Sequence, residues 1–354
     1  MIIQRDSNIE LYRIVAMLLI VAHHFALHSG LIDMVNEMPS SLNTLYVHIL
    51  GMWGKIGINC FILITGYYMS QSHISARKWL KLVCWIWFYN ALLNTIFMVS
   101  GYMDFSVHTL LRVFLPIGRV GSHFASTFVI FYLFIPFLNI LLDNLTYRNH
   151  QLLLILITLV FVILPYFPVY VMMHFNYLSW FICIYLYAAY LRRYLSNNAY
   201  SKHFWGITSI LSIALSIGSV IIGSVTKVVS PYYFTMDSNA LLALPTAIST
   251  FMYIKHIKMR HNKIINMIAA SCFGVLLIHD NSKIMHKWLW HDILHVKEMY
   301  FLPIEIFIVY SLLIIMVIFI VCSLIDITRL YLIERPIFKF ADLYFKKYKI
   351  WYNQ

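Results

Sequence analysis

Ten apolar stretches, each long enough to cross a bilayer, follow one another along this chain, parted only by short charged or turn-rich segments. They fall at roughly 9–28, 45–69, 79–101, 124–142, 151–171, 177–195, 204–224, 238–255, 265–285 and 302–328. A hydrocarbon core about 30 Å thick takes about 20 residues of helix, and every backbone polar group inside it must be satisfied within the segment. The pattern calls for an all-α polytopic membrane protein of about ten transmembrane helices. Composition leaves little else open: 61% of residues are hydrophobic and 11% charged, with mean hydropathy +0.77. Soluble domains carry roughly 25% charged residues. No linker is long enough for a second folded domain and no internal repeat is visible, so residues 1–354 read as one integral-membrane unit.

The net charge of +12 invites a nucleic-acid reading, but the positions of the charges exclude it. With the N-terminus placed in the cytoplasm, eighteen of the 26 Lys and Arg fall in inner segments and six in outer ones. Only Arg13 and Lys55 are left inside apolar stretches. That asymmetry is the one topology produces, and it points to both termini inside. The five cysteines all lie in apolar stretches, with no spacing that suggests a disulfide framework. The N-terminal stretch is expected to stay as a span, because Arg13, His23 and His24 interrupt any signal-like apolar core. Residues 102–123 mix apolar and basic side chains as an interfacial helix would, and 166–176 suit the headgroup zone. The aromatic and basic tail from Phe338 to Trp351 is expected on the inner leaflet.

Chemistry concentrates in the first stretch. Glu10, Arg13 and His24 share one helical face, since Arg13 and His24 are roughly 20° apart around the axis and about 16 Å apart along it. His23 points about 80° away and is expected to pack against a neighbouring helix. Charges in hydrocarbon are expensive unless paired or hydrated, so such a track marks a functional interior. A plainer reading stands beside it: Arg13 snorkelling to the inner interface, and His24 capping near the outer one. In the second stretch, Gly51, Gly54 and Gly57 allow close helix approach, while Lys55 and Asn59 add buried polar groups. The following segment sets Arg77, Lys78 and Lys81 on the inner side, either as a topology signal or as a site for phosphates. His279, beside Asp280, lies about as far into the ninth stretch as His24 lies into the first. No metal site is expected among the sixteen histidines: only His23 and His24 are adjacent, and no His-Glu-x-x-His frame occurs.

These motifs together resemble the acyltransferase 3 family of integral-membrane acyltransferases, many of which O-acetylate bacterial surface polysaccharides. The resemblance rests on the acidic-x-x-Arg opening with Arg13 and His24 ten residues apart, and on Phe61, Thr65, Gly66 and Tyr67 closing the second stretch. It rests also on the run from Ser271 through Phe273, Gly274 and Val275 to His279, and on Glu334-Arg335-Pro336. One departure is the loop after the second stretch, where the family often has Arg-x-Arg and this chain has Arg77-Lys78-x-x-Lys81. No esterase-like domain is fused to it, so the resemblance implies a stand-alone form in the bacterial plasma membrane.

What the resemblance implies is transfer of an acetyl or other acyl group from cytosolic acetyl-CoA or a longer acyl-CoA. The acceptor would be a hydroxyl of a cell-surface or exopolysaccharide sugar, free or lipid-linked. Acyl-CoA is then a donor substrate and no bound cofactor is needed. Arg13, with Arg77, Lys78, Lys81 and Asn59, would bind the donor; His24 would be the general base. Glu10 would hold Arg13, and His279 or Asp280 would orient His24 or assist the oxyanion. A lipid or small-molecule acceptor remains open. So does a non-enzymatic glycan or lipid flippase, although the Gly/Pro-broken helix pairs of such proteins are not seen here. Neither oligomeric state nor the acceptor sugar can be read from the residues.

Overall fold

The computed structural model describes residues 6–72, 74–114, 123–167, 176–195 and 200–347, and among them it is helical with no strand. The chain opens with α1 (Ser7–His28), the short α2 (Leu31–Glu37), α3 (Leu42–Gly51), α4 (Trp53–Met69) and α5 (Ala76–Val99). An eight-residue amphipathic helix α6 (Val107–Phe114) precedes α7 (Phe124–Asn144). α8 (Tyr147–Ile157) runs on through a π-helical and a 3₁₀ segment to Tyr166. Then come α9 (Tyr177–Tyr194), α10 (Lys202–Thr226), α11 (Ala243–Lys255) and α12 (Lys263–His279). The chain ends with α13 (Lys283–His286), extended by a π segment to Ile293, α14 (Val296–Met299), α15 (Ile304–Arg329) and α16 (Arg335–Lys347).

Each of the ten apolar stretches carries helix, but among the described residues only seven helical stretches are long and apolar enough to cross a membrane. An eighth is gained if α12 and α13, bent by 91° at their junction, are one broken span. Two expected spans fall short for local reasons. α9 has 18 residues with Arg192 and Arg193 in its last turn. α11 has 13, because residues 231–242 form turns in place of its first helical turns. Helix starts follow polar side chains at the junctions: Ser41, Ser75, Thr146, Asn176, Ser201, Asn262 and Ser282 each accept from a backbone N–H of the first turn. Such caps satisfy donors that hydrocarbon could not.

α1 is the central element, packed against α3, α4, α11, α12 and α15. Small residues let α4 approach: a Cβ at Gly54 would land on the His23 ring, and one at Gly57 would press on Ile20 and the Ala16 carbonyl. α1 and α12 run parallel and are pinned at both ends. At one end Ser7 Oγ donates to Asn266 Oδ1 at 2.9 Å and accepts from Asn262 N at 2.8 Å. At the other, His24 meets His279. Of the expected interfacial segment, α6 is present. Residues 115–122 of that segment, most of 166–176 (168–175) and residues 348–351 of the tail lie outside the described residues.

Candidate active site

The far end of α1 and the far end of α12 build the site. His24 is buried, and its Nδ1 lies 2.9 Å from His279 Nε2. His279 Nδ1 is 2.6 Å from the Val275 carbonyl one turn back. A carbonyl only accepts, so His279 carries its proton on Nδ1 and its Nε2 presents a lone pair. His24 must then donate from Nδ1, which leaves the lone pair of neutral His24 on Nε2. That nitrogen faces Asp280 Oδ2 at 3.7 Å. The chain from the Val275 carbonyl through two imidazoles thus fixes the tautomer and the aim of His24.

Asp280, the residue after α12, gathers two further histidines. His286 Nε2 is 2.7 Å from its Oδ1 and His28 Nδ1 is 3.5 Å from the same oxygen. The rings of His24 and His28 stack at 4.8 Å between centroids, and those of His28 and His286 at 4.1 Å. A cavity of 280 Å³ opens beside them, lined among others by His23, His24, Lys55, Asn90 and Asp280. On its wall Lys55 Nζ donates to the Tyr177 hydroxyl at 2.5 Å. His23 packs on Gly54 as its helical position suggested, and its Nδ1 is engaged by the Gly51 carbonyl, yet it also forms part of the wall.

A second cavity of 500 Å³ lies toward the other end of α12, lined among others by Trp85, Lys263, Asn266, Arg329, Glu334 and Arg335. Both cavities border α5 and α12. Ala270 lines one and Leu276 the other, an advance of about 9 Å along the helix. Between them Trp85 meets Phe273 edge-on. Here a buried carboxylate, Asp326 of α15, accepts from Trp85 Nε1 at 2.9 Å, Tyr89 Oη at 2.8 Å and Arg329 Nε at 2.8 Å. Arg329 Nη1 also reaches Glu334 at 2.7 Å, and Lys81 lies 3.5 Å from that residue.

The structure therefore brings His24, His279 and Asp280 together and leaves the other expected site residues apart from them. Arg13 pairs with Glu10 at 3.0 Å, and neither lines either cavity. Arg77 is paired with Asp342 at an exposed position, Lys81 is drawn to Glu334, and Lys78 is exposed. Asn59 is fully buried; it donates to the Ser238 carbonyl at 2.7 Å and accepts from Trp180 Nε1 at 2.9 Å. Both ends of its amide are used in holding α4, α9 and the turns before α11 together, away from the cavities. Two residues that the sequence reading passed over, His28 and His286, stand beside Asp280. His28 had a legible signal: it follows His24 by four residues and so shares its face. Searching only for a His-Glu-x-x-His frame hides that pair.

A family model described as an acyltransferase domain, that of the acyltransferase 3 family, matches residues 6–326. The chain belongs to the acyltransferase 3 family. Membership makes it a membrane acyltransferase, and the match spans nearly all of the chain. Comparison with curated proteins and with solved structures finds no match. Both cavities, and all four histidines around Asp280, lie on elements that the acyltransferase 3 match covers wholly or, at the Arg329–Arg335 end of the second cavity, borders.

Proposed function

We propose that this acyltransferase 3 protein moves an acetyl or other acyl group from cytosolic acyl-CoA to a hydroxyl of a surface or exported sugar. It would act in a bacterial plasma membrane with the N-terminal face inside. The observation that carries the reading is the lone pair of His24 Nε2, held in place by His279 on the wall of a cavity. His24 takes the proton of the acceptor hydroxyl as its oxygen attacks the thioester carbonyl. The C–O bond forms, the tetrahedral intermediate collapses with loss of the C–S bond, and the imidazolium returns its proton to the departing thiolate. Asp280, 3.7 Å from that nitrogen, stabilises the imidazolium between the two steps. Lys55 is the cation available to the developing oxyanion.

The second cavity supports the donor half of this reading. Lys263 and Arg335 supply charge for phosphates, and Trp85 and Tyr331 supply aromatic faces. The thin arm of coenzyme A is comparable to four or five extended residues, roughly 15 Å. It would bridge the two cavities along the α5–α12 seam and bring the thioester to His24.

The experiment is mass spectrometry of surface glycan from a deletion strain complemented with the wild-type or the His24→Ala gene. Wild type restores an acyl ester that the deletion strain lacks, and His24→Ala does not. An ester restored equally by both would remove His24 from the chemistry. An unchanged glycan in the deletion strain would point to a lipid or small-molecule acceptor.

A further inference from the structure

The group around Asp280 is more than a base needs. One donor atom each of His24, His28 and Asp280 lies within 4.8 Å of the others. His24 Nε2 is 3.7 Å from Asp280 Oδ2, and His28 Nδ1 is 3.5 Å from Oδ1 of the same carboxylate. Three donors placed tetrahedrally around a zinc ion at 2.0–2.2 Å stand roughly 3.4 Å apart. His28 Nδ1 is buried and makes no hydrogen bond among the described residues, with Asp280 Oδ1 3.5 Å away. An orphaned imidazole nitrogen beside a carboxylate and a second imidazole lone pair is what a shared cation would resolve. The surrounding bonds fit as well. His24 donates its other ring N–H to His279, and Asp280 accepts from His286. These are the outer-shell contacts that orient metal ligands and fix their tautomers.

We propose that His24, His28 and Asp280 form a three-ligand site for a divalent transition-metal ion such as Zn²⁺, and that filling it silences the enzyme. Two imidazoles and one carboxylate suit zinc and its neighbours in preference to calcium or magnesium, which take oxygen ligands. All three residues line the cavity, from which water or an acceptor hydroxyl would complete the sphere. The nitrogen that would bind the metal is the one that would accept the acceptor's proton. Occupancy and base catalysis are therefore mutually exclusive. The silencing rests on the reading of His24 as the base; the binding does not.

The test uses the full chain in nanodiscs, stripped of metal with a chelator and titrated with Co²⁺. The expected result is one equivalent bound, with the visible bands of a tetrahedral N/O site and displacement by Zn²⁺. His28→Gln should weaken Co²⁺ binding by more than about 100-fold, since even outer-shell partners are worth about 10–100-fold. His286→Gln, an outer-shell change, should fall within that range and controls for misfolding. The rate of His28→Gln in metal-free buffer, whatever share of wild-type turnover it is, serves as that variant's own baseline. Added Zn²⁺ should stop the wild type and leave this variant at its baseline. Absence of stoichiometric Co²⁺ binding, or equally tight binding by His28→Gln, would overturn the site. Transfer that rises with Zn²⁺, or that is lost on chelation, would overturn the silencing. The base reading is judged separately, by turnover of His24→Ala in metal-free buffer.

Discussion

His24 and His279 meet at 2.9 Å across 255 residues of sequence, the end of α1 against the end of α12. The bond is directional, because the Val275 carbonyl commits His279 Nδ1 to donation. His279 is thus a positioning residue whose acceptor nitrogen selects the active tautomer of His24. Its loss should cost turnover without touching donor binding.

His279→Ala should lower kcat about tenfold, the worth of one hydrogen bond near 1.4 kcal/mol, with KM for acyl-CoA unchanged. His279→Gln offers an amide oxygen that can accept from His24 Nδ1 and should recover part of the loss. Steady-state kinetics on both variants decide it. Rescue no better than alanine would show that His279 serves packing alone.

The paired histidines separate catalyst from scaffold. His24→Ala should cost at least about two orders of magnitude in turnover per folded molecule while acyl-CoA binding persists. His23 instead supports the wall: its ring fills the space left by Gly54 and its Nδ1 is tied to the Gly51 carbonyl. His23→Ala should lower thermal stability by a few kcal/mol through the cavity it leaves. Its folded fraction should keep most of its activity. Equal losses of turnover at the two positions would dissolve the distinction.

The buried carboxylate between the cavities makes a different claim. Asp326 occupies the space that glycine leaves at 274, and a Cβ there would strike its carboxylate. Asp326→Ala would leave Arg329 Nε and the Trp85 and Tyr89 donors without their acceptor, with Glu334 still on Arg329 Nη1. Removing one partner of a buried pair costs about 3–5 kcal/mol. The variant should be recovered poorly and unfold at lower temperature in a fluorescence or size-exclusion thermal series. Gly274→Ala should do the same by overpacking, by about 1–3 kcal/mol. A stable Asp326→Ala protein would show that the network is solvated.

How far the sequence carries the reader depends on which kind of signal each feature leaves. Membrane-length apolar stretches leave a strong one, and helix appears at all ten places. Whether a helix is long enough to span is a matter of a few residues: α11 loses its first turns to residues 231–242, which no periodicity announces. Depth is legible, because rise per residue is fixed; it matches His24 with His279. Partnership across the fold is not. Nothing in the local sequence ties Asn59 to Trp180, Arg77 to Asp342 or Asp326 to Gly274. A polar residue in an apolar run therefore looks equally like a ligand contact and a structural clamp. His28 was legible by its four-residue spacing. His286 was not, because it reaches Asp280 only through the 91° bend between α12 and α13.

Donor binding should follow the second cavity more than the loop after α4. The Arg77–Asp342 pair is exposed on both sides, and such pairs contribute about 0–1 kcal/mol. Lys78 is exposed, and its side chain has no partner among the described residues. Arg77→Ala and Lys78→Ala should therefore change acyl-CoA affinity little. Lys263 and Arg335 line the cavity together with Arg329, whose charge is already spent on Asp326 and Glu334. Lys263→Ala and Arg335→Ala should each weaken acyl-CoA by about tenfold, since a charge-assisted hydrogen bond is worth about 1.5–3 kcal/mol. Dephosphorylated analogues should lose the difference. Arg13 offers a sharper comparison, because its guanidinium is held by Glu10 at 3.0 Å and its side chain is 21% exposed. If it reaches a phosphate, Arg13→Lys should bind acyl-CoA less well than wild type and better than Arg13→Ala, lysine lacking the bidentate fork. Isothermal titration with acetyl-CoA in nanodiscs measures all six variants. Affinity unaltered at Lys263 and Arg335 but lost at Arg77 would move the donor head group out of this cavity and onto the loop.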